Sequence, residues 1–143
     1  EGVTRAWVYP LEGGPGTVTI RFVCDNSSDI LPSAEMIKKV QAYIDSVRPV
    51  TANVTVSAPT IQAIPFTISG LDPNNDTVKA AVKASLETLF RQEGGPGAVI
   101  YLSHIRAAIS AAVGEADHTL VTPAGNIALG NKILPTVGEI TWQ

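Results

Sequence analysis

Gly16-Thr-Val-Thr-Ile-Arg-Phe-Val-Cys24, followed after a turn by Ser33-Ala-Glu-Met-Ile-Lys-Lys-Val-Gln-Ala-Tyr-Ile-Asp-Ser-Val-Arg48, is the stretch that decides the fold. In its first part Val18, Ile20, Phe22 and Cys24 alternate with Thr17, Thr19 and Arg21, the period of two that a half-buried strand requires. In its second part Ile37, Val40, Ile44 and Val47 recur at spacings of three and four, the stripe of an amphipathic helix. Ser33 is placed to cap that helix, and Glu35 suits the positive end of its dipole. A strand with one apolar face, followed at once by a helix with one apolar stripe, predicts a helix packed on a sheet.

Working outward, Val3, Arg5, Trp7 and Tyr9 alternate with Thr4, Ala6 and Val8, so the opening residues read as another strand. The break at Leu11 to Gly16 makes the two strands an antiparallel hairpin with a wide turn. Pro49 disfavours a helical residue before it, so the helix ends near Arg48, and Val54 and Val56 begin a third strand. Residues 1–58 therefore read as a β-β-α-β subdomain.

Ala58-Pro59-Thr60 is a soft break, and residues 61–143 read as a β-α-β-α-β-β subdomain. Ile64, Phe66 and Ile68 share a strand face. Asp72 to Asp76 is a loop into a helix whose stripe is Val78, Ala81, Val82, Leu86, Leu89 and Phe90, reaching Glu93. Ala98 to Leu102 is strand-like. Ser103 is the expected cap of a short helix carrying Ile105, Ala108, Ile109, Ala112 and Val113, with Gly114 as its stop. Thr119 to Thr122 and Ile133 to Trp142 are the last strands, and Pro135 with Gly138 places the latter at a sheet edge. The fold class expected is α+β: two small subdomains, each of helices packed on a mainly antiparallel sheet. The pentapeptide Glu-Gly-Gly-Pro-Gly occurs at Glu12 to Gly16 and again at Glu93 to Gly97, each time leading into a strand. An internal repeat and a coincidence of turn-rich sequence both fit it.

Composition bounds the partners. With 143 residues, 45% of them hydrophobic, the chain can bury roughly two-thirds of its unfolded surface, enough for a stable core. A net charge of -3, with basic residues scattered rather than clustered, supplies no field for phosphates, so no nucleic-acid partner is expected. No apolar run approaches the ~18 residues of a membrane span, and no basic stretch followed by an apolar one opens the chain, so no membrane partner is expected either. Cys24, within an apolar alternation, reads as a reduced core thiol. The chain starts at Glu1 without a Met and passes at once into a strand-like pattern, which reads as a piece of a longer polypeptide.

Candidate chemistry is sparse. Glu115-Ala116-Asp117-His118 is the most suggestive polar cluster, because Asp and His so close could ligate a divalent metal or form a base and its orienter. The only other histidine is His104, and three or four ligands at defined spacing are lacking, so a solvated turn explains the cluster as well. Ser103 and His104 are neighbours on a helix and point about 100° apart, so they cannot act as nucleophile and base. Asp25 and Asp29 flank turn residues, and neither glycine-rich loop enters a helix in the phosphate-binding manner. Trp7, Tyr9, Tyr43, Tyr101 and Trp142 are left as anchors for a partner or as lids on the core. No catalytic, cofactor-binding or metal-binding residue is assigned.

Two groups of segments carry a resemblance: Gly2 to Pro10 with Gly16 to Val23, Pro32 to Glu35, Val40 to Asp45 and Arg48 to Val56 in the first half, and Gly95 to Ile109 with Leu120 to Ala124 in the second. Together they resemble the C-terminal part of the baseplate J-like family, the contractile-tail baseplate wedge proteins of phage Mu and P2 type, over essentially the whole chain. The matched positions are structural ones, such as Gly16 before a strand, Arg48-Pro49 after a helix and Pro96-Gly97 before the next strand. The resemblance implies an α+β structural component of a phage or prophage contractile-tail baseplate, without enzymatic activity or cofactor. Its implied partners are other baseplate wedge or hub proteins, with self-association in the intact particle. The implied place is the virion tail baseplate, assembled in the bacterial host cytoplasm. Two rivals from other classes are a small metal-dependent hydrolase using Asp117 and His118, with His104 as a further ligand, and a ligand-binding adaptor with a pocket between the halves lined by Tyr43 or Phe66.

Overall fold

The alternation of the opening residues becomes a pair of strands. In the computed structural model, which describes residues 2–143, β1 (Arg5–Pro10) runs antiparallel to β2 (Thr17–Val23), with Ala6 opposite Phe22 and Trp7 opposite Arg21. Helix α1 (Ala34–Val47) follows, and the Ser33 hydroxyl accepts a hydrogen bond from the Met36 amide at 3.2 Å, as an N-cap should. At its other end Arg48 is extended, held so by Pro49.

Strand β3 (Asn53–Ser57) then pairs with β2 in parallel, giving the order β1-β2-β3. Parallel pairing follows from the helix, which carries the chain back along the sheet so that β3 re-enters in the direction of β2. The core beneath α1 is Phe22, Cys24 and Val56, with Ile20, Met36, Ile37, Val40 and Ile44 packed against it. Gln41 on α1 donates to the Val54 carbonyl at 2.9 Å and accepts from the Val56 amide at 2.8 Å, so its side chain occupies the outer edge of β3. These elements belong to a first compact unit that runs to Pro59, and Thr60–Gln143 make a second.

The second unit is built on β4 (Thr60–Asp72), longer than the three alternating apolar residues suggest. Helix α2 (Asp76–Glu93) comes next. Asn75 caps it by accepting from the Val78 amide at 2.9 Å, and Val78, Val82, Leu86, Leu89 and Phe90 are buried along one face. Strand β5 (Val99–Ile100), helix α3 (Leu102–Ser110), β6 (Asp117–Thr122), β7 (Ile127–Ala128) and β8 (Ile133–Trp142) complete the chain. The main sheet has the order β6-β4-β8, with β6 antiparallel to β4 and β8 parallel to it. Phe66 and Phe90 meet edge to face at 5.8 Å in a core that also buries Ile68, Ile100, Ile105 and Ile109. Side chains of this size each contribute about 1.5–3 kcal/mol on burial.

The fold class is α+β, with helices against sheets. Three local expectations change. The main sheets are mixed rather than mainly antiparallel, since each contains one parallel pair. Ser103 lies inside α3, whose N-cap is Tyr101; the Asn126 side chain, from a loop 24 residues away, accepts from the Leu102 amide at 2.9 Å in place of a local cap. The strand expected from Ala98 to Leu102 shrinks to Val99–Ile100, which pairs with β7, a strand too short to show a period.

Strand β4 also contains Pro65 in the central position of its sheet. The ladder allows it because β6 pairs only from Thr67 onward and the register with β8 shifts between Ile64 and Phe66. Gly138 makes the shift possible: a Cβ there would lie 2.8 Å from the Ile64 carbonyl oxygen. Strand β8 is an edge strand of the sheet.

Candidate functional site

Glu115, Asp117 and His118 follow α3 and open β6, where the Ala116 amide bonds to the Asp72 carbonyl at 2.8 Å and fixes the turn. The histidine is oriented by Glu115 and not by Asp117: its Nδ1 lies 2.7 Å from the Glu115 carboxylate, with the two side chains only 9% and 4% exposed. Asp117 turns instead to the His118 amide, accepting from it at 2.9 Å. Arg106 and Ser110 of α3 border the same small concavity. Among the described residues, no group of three or more His, Cys, Asp or Glu side chains is placed to hold a metal ion. The pair ties the α3–β6 turn together, an i,i+3 contact that sequence spacing alone leaves ambiguous between Glu115 and Asp117.

His104, the other candidate ligand, is half exposed and contacts Glu93 at 2.8 Å and the Tyr101 ring at 5.4 Å. Asp25 receives both Nε and Nη2 of Arg5, at 2.9 and 2.8 Å, a bidentate clamp between the start of β1 and the end of β2. Asp29 accepts from the Leu31 amide in an ordinary turn. Asp25 and Asp29 are thus two separate structural contacts, and Arg5, 20 residues away, is the partner that sequence spacing hid.

Among the described residues of the first unit Arg21 is the buried charge. It is 4% exposed, donates from Nη2 to Glu12 at 2.8 Å and stands over the Tyr9 ring at 5.0 Å. Burial, more than any charge nearby, raises the Tyr9 hydroxyl above its ordinary pKa, while the Arg21 guanidinium pulls the other way. On the far end of α1 the Asp45 carboxyl is held below its ordinary value, chiefly by the hydrogen bond from Arg48.

The aromatic anchors divide. Trp7 and Trp142 lie near Arg5 and Lys79 respectively, at cation-to-ring distances of 5.3 and 5.8 Å. Tyr43 and Tyr101 are exposed. Tyr43 borders a concavity of about 820 Å³ with Val3, Met36, Lys39 and Val40, whereas Phe66 is enclosed in the second unit's core. A shallower trough of about 630 Å³ runs between α2 and α3 along Ala81, Ala84, Ser85, Ala107, Ala108 and Ala111. No helix of the structure is long and apolar enough to cross a membrane.

Comparison with known proteins agrees in register with this layout. Residues 1–58 match the model of the baseplate J-like central domain, and residues 64–143 that of the baseplate J-like protein C-terminal domain. The Mu-like prophage FluMu protein gp47 of Haemophilus influenzae is 38% identical, covering 99% of this chain and 42% of its own length. The baseplate protein gp47 of Escherichia phage Mu is 33% identical over 99% of this chain and 42% of its own. The phage-like element PBSX protein XkdT of Bacillus subtilis is 27% identical over 98% and 43%. The chain thus spans less than half the length of these relatives.

Proposed function

The chain belongs to the baseplate J-like family, and from that premise we propose that it works as a structural component of a phage or prophage contractile-tail baseplate. The observation that carries the proposal is the tandem match of two successive baseplate domains to residues 1–58 and 64–143, supported by a relative that is itself named a baseplate protein. Its work is wedge assembly through contacts with other wedge or hub proteins and with copies of itself, without catalysis. Sheets backed by helices supply rigid blocks, while strand edges and exposed apolar side chains such as Tyr43 and Val113 supply joining surfaces. Its place is the virion tail baseplate, put together in the cytoplasm of the bacterial host.

The test is deletion of the coding gene from the phage or prophage that carries it, followed by electron microscopy and mass spectrometry of purified tails. Peptides of this chain in wild-type tails, and loss of baseplates from the deletion particles, are expected. Normal contractile tails in the deletion would overturn the proposal.

A further inference from the structure

We propose that the β1 edge of the first unit is a self-pairing edge, joining antiparallel to β1 of a second copy across a two-fold axis at Trp7. The phase of the ladder shows which backbone groups are available. Leu11 donates to the Thr17 carbonyl and Asn53 to the Gly16 carbonyl, so the odd-numbered residues of β1 bond β2 and the even-numbered ones face away from it. Ala6 and Val8 therefore present both an N–H and a C=O outward. No group among the described residues bonds to these, and both residues are exposed, Val8 at 61%.

The two edges of this sheet are treated differently. On β3 the outward groups Val54 C=O and Val56 N–H are taken by the Gln41 amide, which imitates a neighbouring strand and closes that edge. On β1 nothing comparable stands in among the described residues. Its outward limit is Pro10, which has no N–H to offer, and on the other side Thr4 has already turned its amide to Val23. The open edge is thus a short segment centred on Trp7.

That segment is complementary to itself. With the two-fold axis at Trp7, Ala6 faces Val8 of the second copy and Val8 faces Ala6. Each of these pairs exchanges two backbone bonds, using every donor and acceptor that Ala6 and Val8 present. Moving the axis to Ala6 brings in Thr4, whose amide is engaged, and moving it to Val8 brings in Pro10 and leaves the Ala6 carbonyl unmatched. At the axis the two Trp7 residues form a non-hydrogen-bonded pair, the closer kind, in which aromatic side chains stabilise a cross-strand contact. The product is a continuous six-stranded sheet. This inference goes beyond the baseplate reading and does not rest on it, because it concerns the isolated chain.

The test is sedimentation equilibrium of the 143-residue chain up to millimolar concentration, for wild type and Val8→Pro. Proline at an outward position of an edge strand removes only an N–H that β2 does not use. Wild type should approach twice the monomer mass, and Val8→Pro should stay at the monomer mass with an unchanged circular dichroism spectrum. Trp7→Cys supplies an independent measure: opposed Cα atoms at a non-hydrogen-bonded pair lie about 4.5 Å apart, within disulfide reach, so it should oxidise to a covalent dimer while Val8→Cys does not. A wild type that is monomeric throughout, a Val8→Pro chain that still doubles its mass, or cross-linking at Val8→Cys rather than Trp7→Cys would each overturn the proposal.

Discussion

The two copies of Glu-Gly-Gly-Pro-Gly have one sequence and two surroundings. In Glu12 to Gly16 the loop joins two antiparallel strands and stays mostly exposed; in Glu93 to Gly97 it leaves the end of α2, and Gly94, Gly95 and Pro96 are buried. What they share is local: the last glycine is left-handed in both, φ +77 at Gly16 and +80 at Gly97, and a strand follows each. What differs is set by neighbours distant in sequence. Glu12 meets a guanidinium that is 4% exposed, whereas Glu93 meets an imidazole that is 49% exposed. A Cβ on Gly16 would meet nothing within 4 Å, whereas one on Gly97 would lie 2.4 Å from Asn131 Oδ1. Identical turn chemistry fixes the path of the chain, and tertiary contacts decide how much stability depends on it.

The largest expected effect separates the two glutamates. Glu12→Ala leaves the Arg21 guanidinium buried without its carboxylate, which should cost about 3 kcal/mol of unfolding free energy in urea titration. Glu93→Ala removes a contact to an exposed histidine and should cost less than about 0.5 kcal/mol. Equal losses from both would mean that burial is not what distinguishes the loops.

Next come the second-position glycines. A Cβ on Gly94 would lie 2.3 Å from the Phe90 carbonyl oxygen, the group that its own amide bonds at the end of α2, while one on Gly13 would meet a side-chain atom, the Thr17 hydroxyl, at 3.2 Å. Gly94→Ala should cost about 2 kcal/mol and Gly13→Ala less than half of that, read from the same titration. For the last glycines, Gly16→Ala bears only the left-handed backbone and should cost about 1 kcal/mol, whereas Gly97→Ala adds displacement of Asn131 and should cost more.

The smallest expected effect belongs to Tyr9 beside the first loop. Its folded pKa is raised above the unfolded value, so the stability it contributes is present below the tyrosine range, near pH 10, and falls as pH rises through its folded pKa. Alkaline unfolding of Tyr9→Phe, which has no ionisable hydroxyl, should show a shallower decline than wild type. An identical decline would remove burial of Tyr9 from the account.

Much of the fold was legible because its signals are local. The alternation of Val18 to Cys24, the stripe of α1, the Ser33 cap and the Val78 to Phe90 face each arise from residues a few positions apart, and each stands where the pattern puts it. The α3 cap was misread because Asn126, distant in sequence, does the work expected of Ser103. Strand β7 was invisible because two residues carry no period. In the polar clusters, residue types were legible and partners were not: Asp25 pairs with Arg5, Arg21 with Glu12, and His118 with Glu115 in preference to Asp117.

By itself, then, the sequence determined the α+β class, most of the elements and a family pattern, since periodicity, capping and turn chemistry act over one or two turns of chain. Tertiary structure alone decided which strands pair in parallel, the partner of each buried charge and which sheet edge is closed. Those depend on groups that different elements bring together, as Gln41 is with Val54, 13 positions away, and Asn126 with Leu102, 24 away, and no local pattern encodes such a meeting.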